Sequence, residues 1–184
     1  MAKKPFAYAQ LEAVRQLMLE NPLMCHVFEY QSPVGTTATG EIIDLVAEFG
    51  ELPKGRTSGR GGWALDEAWY VGAATGMAMI GVPCIARIPS MTTVMPFEFV
   101  FNQVGNLRMM TGGQANLSGC VIWIDGAGRY PGSAQQHSQV GHEAMYANIP
   151  GIKIVNVSDA YNAKGLLIAA AHDPDPVIYN SYGE

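Results

Sequence analysis

The chain has 184 residues (19.8 kDa), is 48% hydrophobic and only 15% charged, and carries a formal net charge of −5. One domain is the expectation at this length, and an apolar chain of low net charge argues against disorder. The acidic balance, with no basic stripe, argues against nucleic-acid binding by phosphate neutralisation. So few charges have two readings that stay open here: a large ordinary core, or a surface that a partner covers. In chain order, Tyr8–Glu20 reads as an amphipathic helix with Leu11, Val14, Leu17 and Met18 on one face, stopped by Asn21-Pro22. Leu23–Phe28 is a buried strand. Gly40–Phe49 reads as a helix closed by Gly50, and a polar, glycine-rich loop follows from Pro53 to Gly62.

Asp66–Met79 reads as a helix opened by Asp66, and Cys84–Ile88 as a strand. Pro96 starts a helix running to Met110, ended by Gly112-Gly113. Cys120–Ile124 is a strand, followed by a second glycine-rich loop, Asp125–Gly141. Ile152–Val157 is a strand, Asp159–Ala171 a helix and Val177–Asn180 a last strand. Alternating strands and helices predict a doubly wound α/β fold, with a mainly parallel sheet and helices on both faces. Ligands then sit beyond the carboxyl ends of the strands.

Cys25, Cys84 and Cys120 are far apart and lie in apolar runs, which suits a reducing, cytoplasmic setting better than a disulfide framework. The longest apolar stretch, Val71–Ile88, is interrupted by Gly72, Gly76, Gly81 and Pro83, so it reads as a helix and a strand and not as a membrane span. No Gly-x-Gly-x-x-Gly, Walker loop or nucleophile elbow is present. His26, His137, His142 and His172 form no zinc signature, so no metal ligand is assigned.

Glu67 is more informative. It opens a helix that is otherwise almost uncharged, and Gly72 and Gly76 on that helix form a small-residue seam that lets another helix approach closely. A carboxyl desolvated at such an interface is a candidate proton-sharing acid. The plainer reading is that Asp66 and Glu67 only complement the helix dipole.

Four stretches, taken in series, resemble the pyrimidine-binding domain of thiamine-diphosphate enzymes. They are Glu67 with the glycine helix through Gly81, Asn102–Asn116, Ala134–Gln139 with His137, and Pro150–Val155 continuing through Asp159–Leu167 to Asp173–Val177. The resemblance is greatest to the β subunits of 2-oxo-acid dehydrogenase decarboxylase components, and it covers roughly residues 8 to 180. It implies that Glu67 hydrogen-bonds the aminopyrimidine of thiamine diphosphate, and that His137 lines the substrate cavity and acts on the carbonyl-derived oxygen. It implies that Met91 or Thr92 supplies the apolar face to the pyrimidine where the family has an aromatic residue, and that Glu29 falls near a family acidic position.

The resemblance further implies that the diphosphate and Mg²⁺ are held by a partner, because the Gly-Asp-Gly…Asn motif is not found here. The chain is expected to be a single pyrimidine-binding domain over 1–184, without the family's C-terminal α/β domain. It would work in a hetero-oligomer with an α-type subunit carrying the diphosphate domain, and with a separate C-terminal-domain subunit as a further partner. Two alternatives stand beside decarboxylation of a 2-oxo acid. One is the split C-terminal half of a transketolase, for which Arg56, Arg60, Arg87, Arg108 and Arg129 are available to sugar phosphates. The other is a non-catalytic structural subunit of the same fold.

Overall fold

Residues 5–28, 33–60, 65–89, 94–127 and 143–182 are described by the computed structural model. The first amphipathic stripe forms helix α1 (Phe6–Glu20), which buries Leu11, Val14, Leu17 and Met18. Asn21 turns the backbone to an extended conformation, as the residue before a proline prefers. Strand β1 (Cys25–Phe28) is buried at every position. It lies at one end of the sheet, and its outer edge is covered by residues 56–58. The His26 N–H donates to Arg56 O at 2.9 Å, and the Ser58 hydroxyl bonds both the N–H and the carbonyl of Phe28, at 2.9 and 2.8 Å. An edge satisfied in this way does not recruit other strands.

The expected helix Gly40–Phe49 is corrected by the structure: only its second half is helical. Strands β2 (Val34–Thr36) and β3 (Ile42–Asp44) pair as an antiparallel hairpin, and helix α2 (Leu45–Phe49) follows. Ile42 is exposed and Ile43 buried, the alternation of a strand. Gly40 turns the chain at φ +84°, a conformation that costs glycine little. Asp44 then caps α2, its carboxylate accepting from the Ala47 N–H at 3.0 Å.

Helix α3 (Glu67–Met79) leads to strand β4 (Cys84–Pro89). The expected helix Pro96–Met110 is broken in two. It opens into a π-helical segment, Phe99–Val104, and resumes as α4 (Leu107–Met110). The wide turn bonds Gly105 N–H to Val100 O at 2.9 Å, and the Asn106 amide donates to Phe101 O at 2.9 Å. The remaining elements are β5 (Cys120–Ala127), α5 (Glu143–Tyr146), β6 (Lys153–Val157), α6 (Ala160–Ala171) and β7 (Val177–Tyr182). The short α5 has no counterpart among the predicted elements.

The main sheet has five parallel strands in the order β1-β4-β5-β7-β6. The chain steps outward from β1 to β4 to β5 with α3 and the 94–110 segment on one face. It skips a place to β6, then returns to β7 through α6 on the opposite face. Parallel crossovers are right-handed, so a reversal of direction requires a change of face. The sheet is therefore wound on both sides and separates two cores. One holds α1, α6 and Ile85, Trp123 and Tyr179; the other holds α3, Val100, Val104 and Tyr146.

Cys25, Cys84 and Cys120 lie side by side in register across three strands in the second core. All three are buried reduced thiols, and burial pushes each up, Cys120 to about 12. They behave as small hydrophobes, as expected. The Gly72/Gly76 seam is half used within the chain. A Cβ on Gly72 would stand 3.2 Å from the Phe99 ring, whereas one on Gly76 would have nothing within 4 Å.

Candidate functional site

A helix joining two parallel strands runs against them, so the start of α3 lies at the C-terminal edge of the sheet. That is where ligands bind in open α/β folds. The backbone N–H of Trp69 is satisfied by the side chain of Asp66 at 3.1 Å. Capping is thus Asp66's task, and capping does not account for the burial of the neighbouring Glu67. Glu67 is only 6% exposed, and no ion pair engages its carboxylate among the described residues. A carboxylate is rarely buried without a partner. The structure therefore places Glu67 buried at the first position of α3.

Phe28, Pro89 and Ala127 end β1, β4 and β5, which are neighbours in the sheet. Their C-terminal ends share an edge with the start of α3. The other residues singled out by sequence follow these strands: Glu29 after β1, Met91 and Thr92 after β4, and His137 after β5. All four lie outside the described residues.

The sequence reading missed a charged cluster at the same edge, on the α1/α6 face. Arg87 lies across the Trp123 ring, 4.3 Å from its centroid, and donates to Asp125 from Nε at 3.0 Å and Nη2 at 2.5 Å. The Trp123 indole donates to Ser181 Oγ at 2.8 Å, and the Ser181 hydroxyl bonds the other Asp125 oxygen at 3.0 Å. This network holds the end of β5, from which the His137 segment departs. One signal was visible in the sequence: Arg87 is the lone charge in the apolar run Val82–Ile88. Its partner, 38 residues on, was not legible. Arg87→Met should lower stability by about 2–3 kcal/mol, because Asp125 keeps its charge in a partly buried place without its cation. Chemical denaturation of the two proteins checks this; an unchanged midpoint would show that the pair stabilises nothing.

Beside the cluster, His26 is fully buried. Its Nδ1 lies 3.2 Å from Ile85 O, and its ring neighbours Phe28 and Trp123. A carbonyl only accepts, so Nδ1 carries the proton and Nε2 is left bare, without a hydrogen-bond partner. His26 is a core histidine and not a ligand. Among the described residues no three His, Cys, Asp or Glu side chains gather where they could hold a metal ion.

A cleft of about 380 Å³ opens at the opposite, N-terminal edge, lined by Val104, Arg108, Gly113, Gly151 and Pro176. Its Arg108 is paired with Asp175 at 2.7 Å. This cleft lies at the other edge of the sheet from Glu67. No helix among the described residues is long and apolar enough to cross a membrane.

A parallel sheet wound on both faces, with a buried acid at its C-terminal edge, defines a doubly wound α/β ligand-binding domain. More particularly, the chain belongs to the family described as "Transketolase, pyrimidine binding domain", which matches residues 62–179. Membership implies thiamine diphosphate as the cofactor. The chain is 40% identical over 136 residues to "Acetoin:2,6-dichlorophenolindophenol oxidoreductase subunit beta" of Bacillus subtilis, covering 73% of this chain and 37% of that protein. The counterpart from Cupriavidus necator is 40% identical over 124 residues, covering 65% and 36%. A "Pyruvate dehydrogenase E1 component subunit beta" from Gracilaria tenuistipitata is 34% identical over 137 residues, covering 74% and 40%. The chain thus spans between a third and two fifths of the length of these relatives. Among solved structures, a "Split gene transketolase, inactive beta4 tetramer" superposes with a TM-score of 0.70 at 18% identity, covering 99% of this chain and 53% of that one. At that identity the likeness concerns the fold.

Proposed function

We propose that this chain is the pyrimidine-binding subunit of a multi-chain thiamine-diphosphate enzyme that decarboxylates a 2-oxo acid and passes on the acyl or aldehyde unit. The observation that carries the reading is the burial of Glu67 at the start of α3, where Asp66 has already taken the cap. The printed names of the relatives, β subunits of acetoin and pyruvate enzymes, support the substrate class and a hetero-oligomer with an α-type subunit. When bound, thiamine diphosphate supplies a carbanion that attacks a carbonyl and an electron sink for the bond that breaks.

Glu67 shares a proton with a weakly basic ring nitrogen, a role that a buried carboxyl suits. His137 acts on the substrate side, and Met91, Thr92 and Glu29 line the cofactor. The domain is a single pyrimidine-binding unit, and the diphosphate and Mg²⁺ are held on a partner polypeptide. The compartment is a reducing, cytoplasmic one, which the three buried thiols support.

The transketolase alternative needs cations for sugar phosphates, and four of the five arginines available to it are engaged within the chain. Arg56 donates to the carbonyls of Met18 and Asn21, at 2.8 and 2.9 Å; Arg60 pairs with Asp44, Arg87 with Asp125 and Arg108 with Asp175. Arg129 lies outside the described residues. This favours a 2-oxo acid over a ketose phosphate.

The test is reconstitution with a subunit carrying the diphosphate domain, plus Mg²⁺ and cofactor, offering 2-oxo acids and ketose phosphates in parallel. The expected result is carbon dioxide release and dye reduction with a 2-oxo acid. Ketol transfer from the sugar instead would establish the transketolase reading. Absence of cofactor-binding heat in the assembled complex would establish a structural subunit.

A further inference from the structure

We propose that Cys25 and Cys84 are a redox modification site, joined by a reversible disulfide when a hydroperoxide oxidises them, with Cys120 left reduced. The three cysteines stand on β1, β4 and β5, in register and on the same face of the sheet. The thiamine reading makes no use of them. Neighbouring strands lie about 4.8 Å apart, and a disulfide joins Cα atoms roughly 4.4–6.8 Å apart. Cys84 is therefore within bridging reach of either neighbour. Cys25 and Cys120 are two strands apart, about 9–10 Å, which is too far for a bridge. The nearness of the sulfurs is also electrostatic: burial first, then the thiols of Cys25 and Cys120 on either side, push Cys84 up. One central sulfur thus has two possible partners, and only one bridge can form.

Access selects the partner. Cys84 and Cys120 are 0% exposed, whereas Cys25, at the start of β1, is 7% exposed. An oxidant dissolved in water therefore meets Cys25 first. Burial raises the Cys25 thiol, but the Arg56 cation opposes the rise. Cys120 is pushed up to about 12 by burial, with Thr75 of α3 against it. Cys25 is thus the attacking thiol and Cys84 the resolving one. In the first step the Cys25 sulfur attacks hydrogen peroxide: an S–O bond forms, the O–O bond breaks, water leaves, and Cys25 becomes a sulfenic acid. In the second step the Cys84 sulfur attacks that sulfur: an S–S bond forms, the S–O bond breaks, and the oxygen leaves as water with the Cys84 proton. Two thiols and one peroxide give one disulfide and two waters, with two electrons passing to the peroxide. The product is uncharged, as a dry core requires. Such a bridge in a reducing compartment is transient and redox-sensing. It ties β1, which has a single strand neighbour in the main sheet, covalently to β4.

The proposal does not rest on the thiamine reading, and its test uses the purified chain without cofactor. The reduced protein is treated with hydrogen peroxide at neutral pH, and the surviving thiols are then alkylated in denaturant and mapped by mass spectrometry. Cys120 should be the one alkylated cysteine, and Cys25 and Cys84 should appear as a linked peptide pair. Dithiothreitol should return all three thiols. Cys25→Ala should slow the loss of thiols about 10-fold or more, because the two that remain are sealed from the oxidant. Cys84→Ala should halt the reaction at the Cys25 sulfenic acid, which dimedone traps. Cys120→Ala should bridge as the wild type does. The wild-type peptide map decides the pairing even where a variant fails to fold. Survival of all three thiols, a Cys84–Cys120 bridge, bridges only between separate chains, or a Cys25→Ala protein oxidised at the wild-type rate would each overturn the proposal.

Discussion

Replacing Glu67 by glutamine is expected to lower kcat of the reconstituted enzyme about 10²- to 10⁴-fold, the usual cost of removing one positioned proton-transfer group. The amide matches the carboxyl in shape, so the buried start of α3 is kept. Asp66 still holds the Trp69 N–H, so thermal stability should be unchanged. KM for the 2-oxo acid should also hold, because the role proposed for Glu67 is on the cofactor side. The neighbouring substitution separates the two carboxylates. Asp66→Ala removes the cap and should cost about 1 kcal/mol of stability while leaving kcat near the wild-type value. Turnover rates and denaturation midpoints of both variants together decide whether the two acids divide their labour this way. Near-normal turnover by Glu67→Gln would take Glu67 out of the chemistry, whatever its burial.

The parallel sheet was legible because each core strand is a short apolar run closed by turn residues, and because α3 and α6 each begin with an aspartate. Asp66 and Asp159 both cap as their positions suggested, accepting from Trp69 and Asn162 N–H. The hairpin β2–β3 was not legible. Ile42, Ile43, Leu45 and Val46 satisfy a helical period and a strand period equally over so short a stretch. Tertiary packing of Ile43 and Leu45 decided the matter. The break at Phe99–Val104 was hidden for a different reason: Asn106 takes over a carbonyl bond that a regular helix would have satisfied internally.

Site residues divide in the same physical way. Glu67 could be singled out because it is a rare charge in an uncharged helix, a property local to the sequence. The Arg87–Asp125 pair arises only from the register of β4 on β5, which sets Arg87 beside Trp123 and two residues short of Asp125. A long side chain then reaches along the strand to its partner. No spacing within the sequence announces such a pairing. Its consequence is that a partly buried ion pair on the opposite face of the sheet from α3 ties the end of β4 to the end of β5.

The folded protein should lose stability steadily between pH 6.5 and pH 4.5, and much of that loss should vanish in His26→Gln. Burial first, and the nearby Arg87 cation second, lower His26 from its ordinary 6.5 to about 3. Between these values the unfolded chain binds a proton that the native chain refuses, so unfolding is favoured as pH falls. The stabilisation is fully present above 6.5 and declines by about 1.4 kcal/mol per pH unit below it, reaching roughly 4–5 kcal/mol by pH 3. The upper part of this window isolates the histidine. Asp44, Asp159 and Asp173 are all held below the usual carboxylate range, so their contributions are lost only at lower pH. Unfolding free energies at pH 7, 6, 5 and 4.5 for both proteins give the test. Protonation would place a cation at Nε2, between Phe28 and Trp123 and facing Arg87, with no acceptor to receive the new N–H. If the two proteins show parallel pH profiles, then Nε2 takes up its proton without unfolding, and the dry pocket inferred around it does not exist.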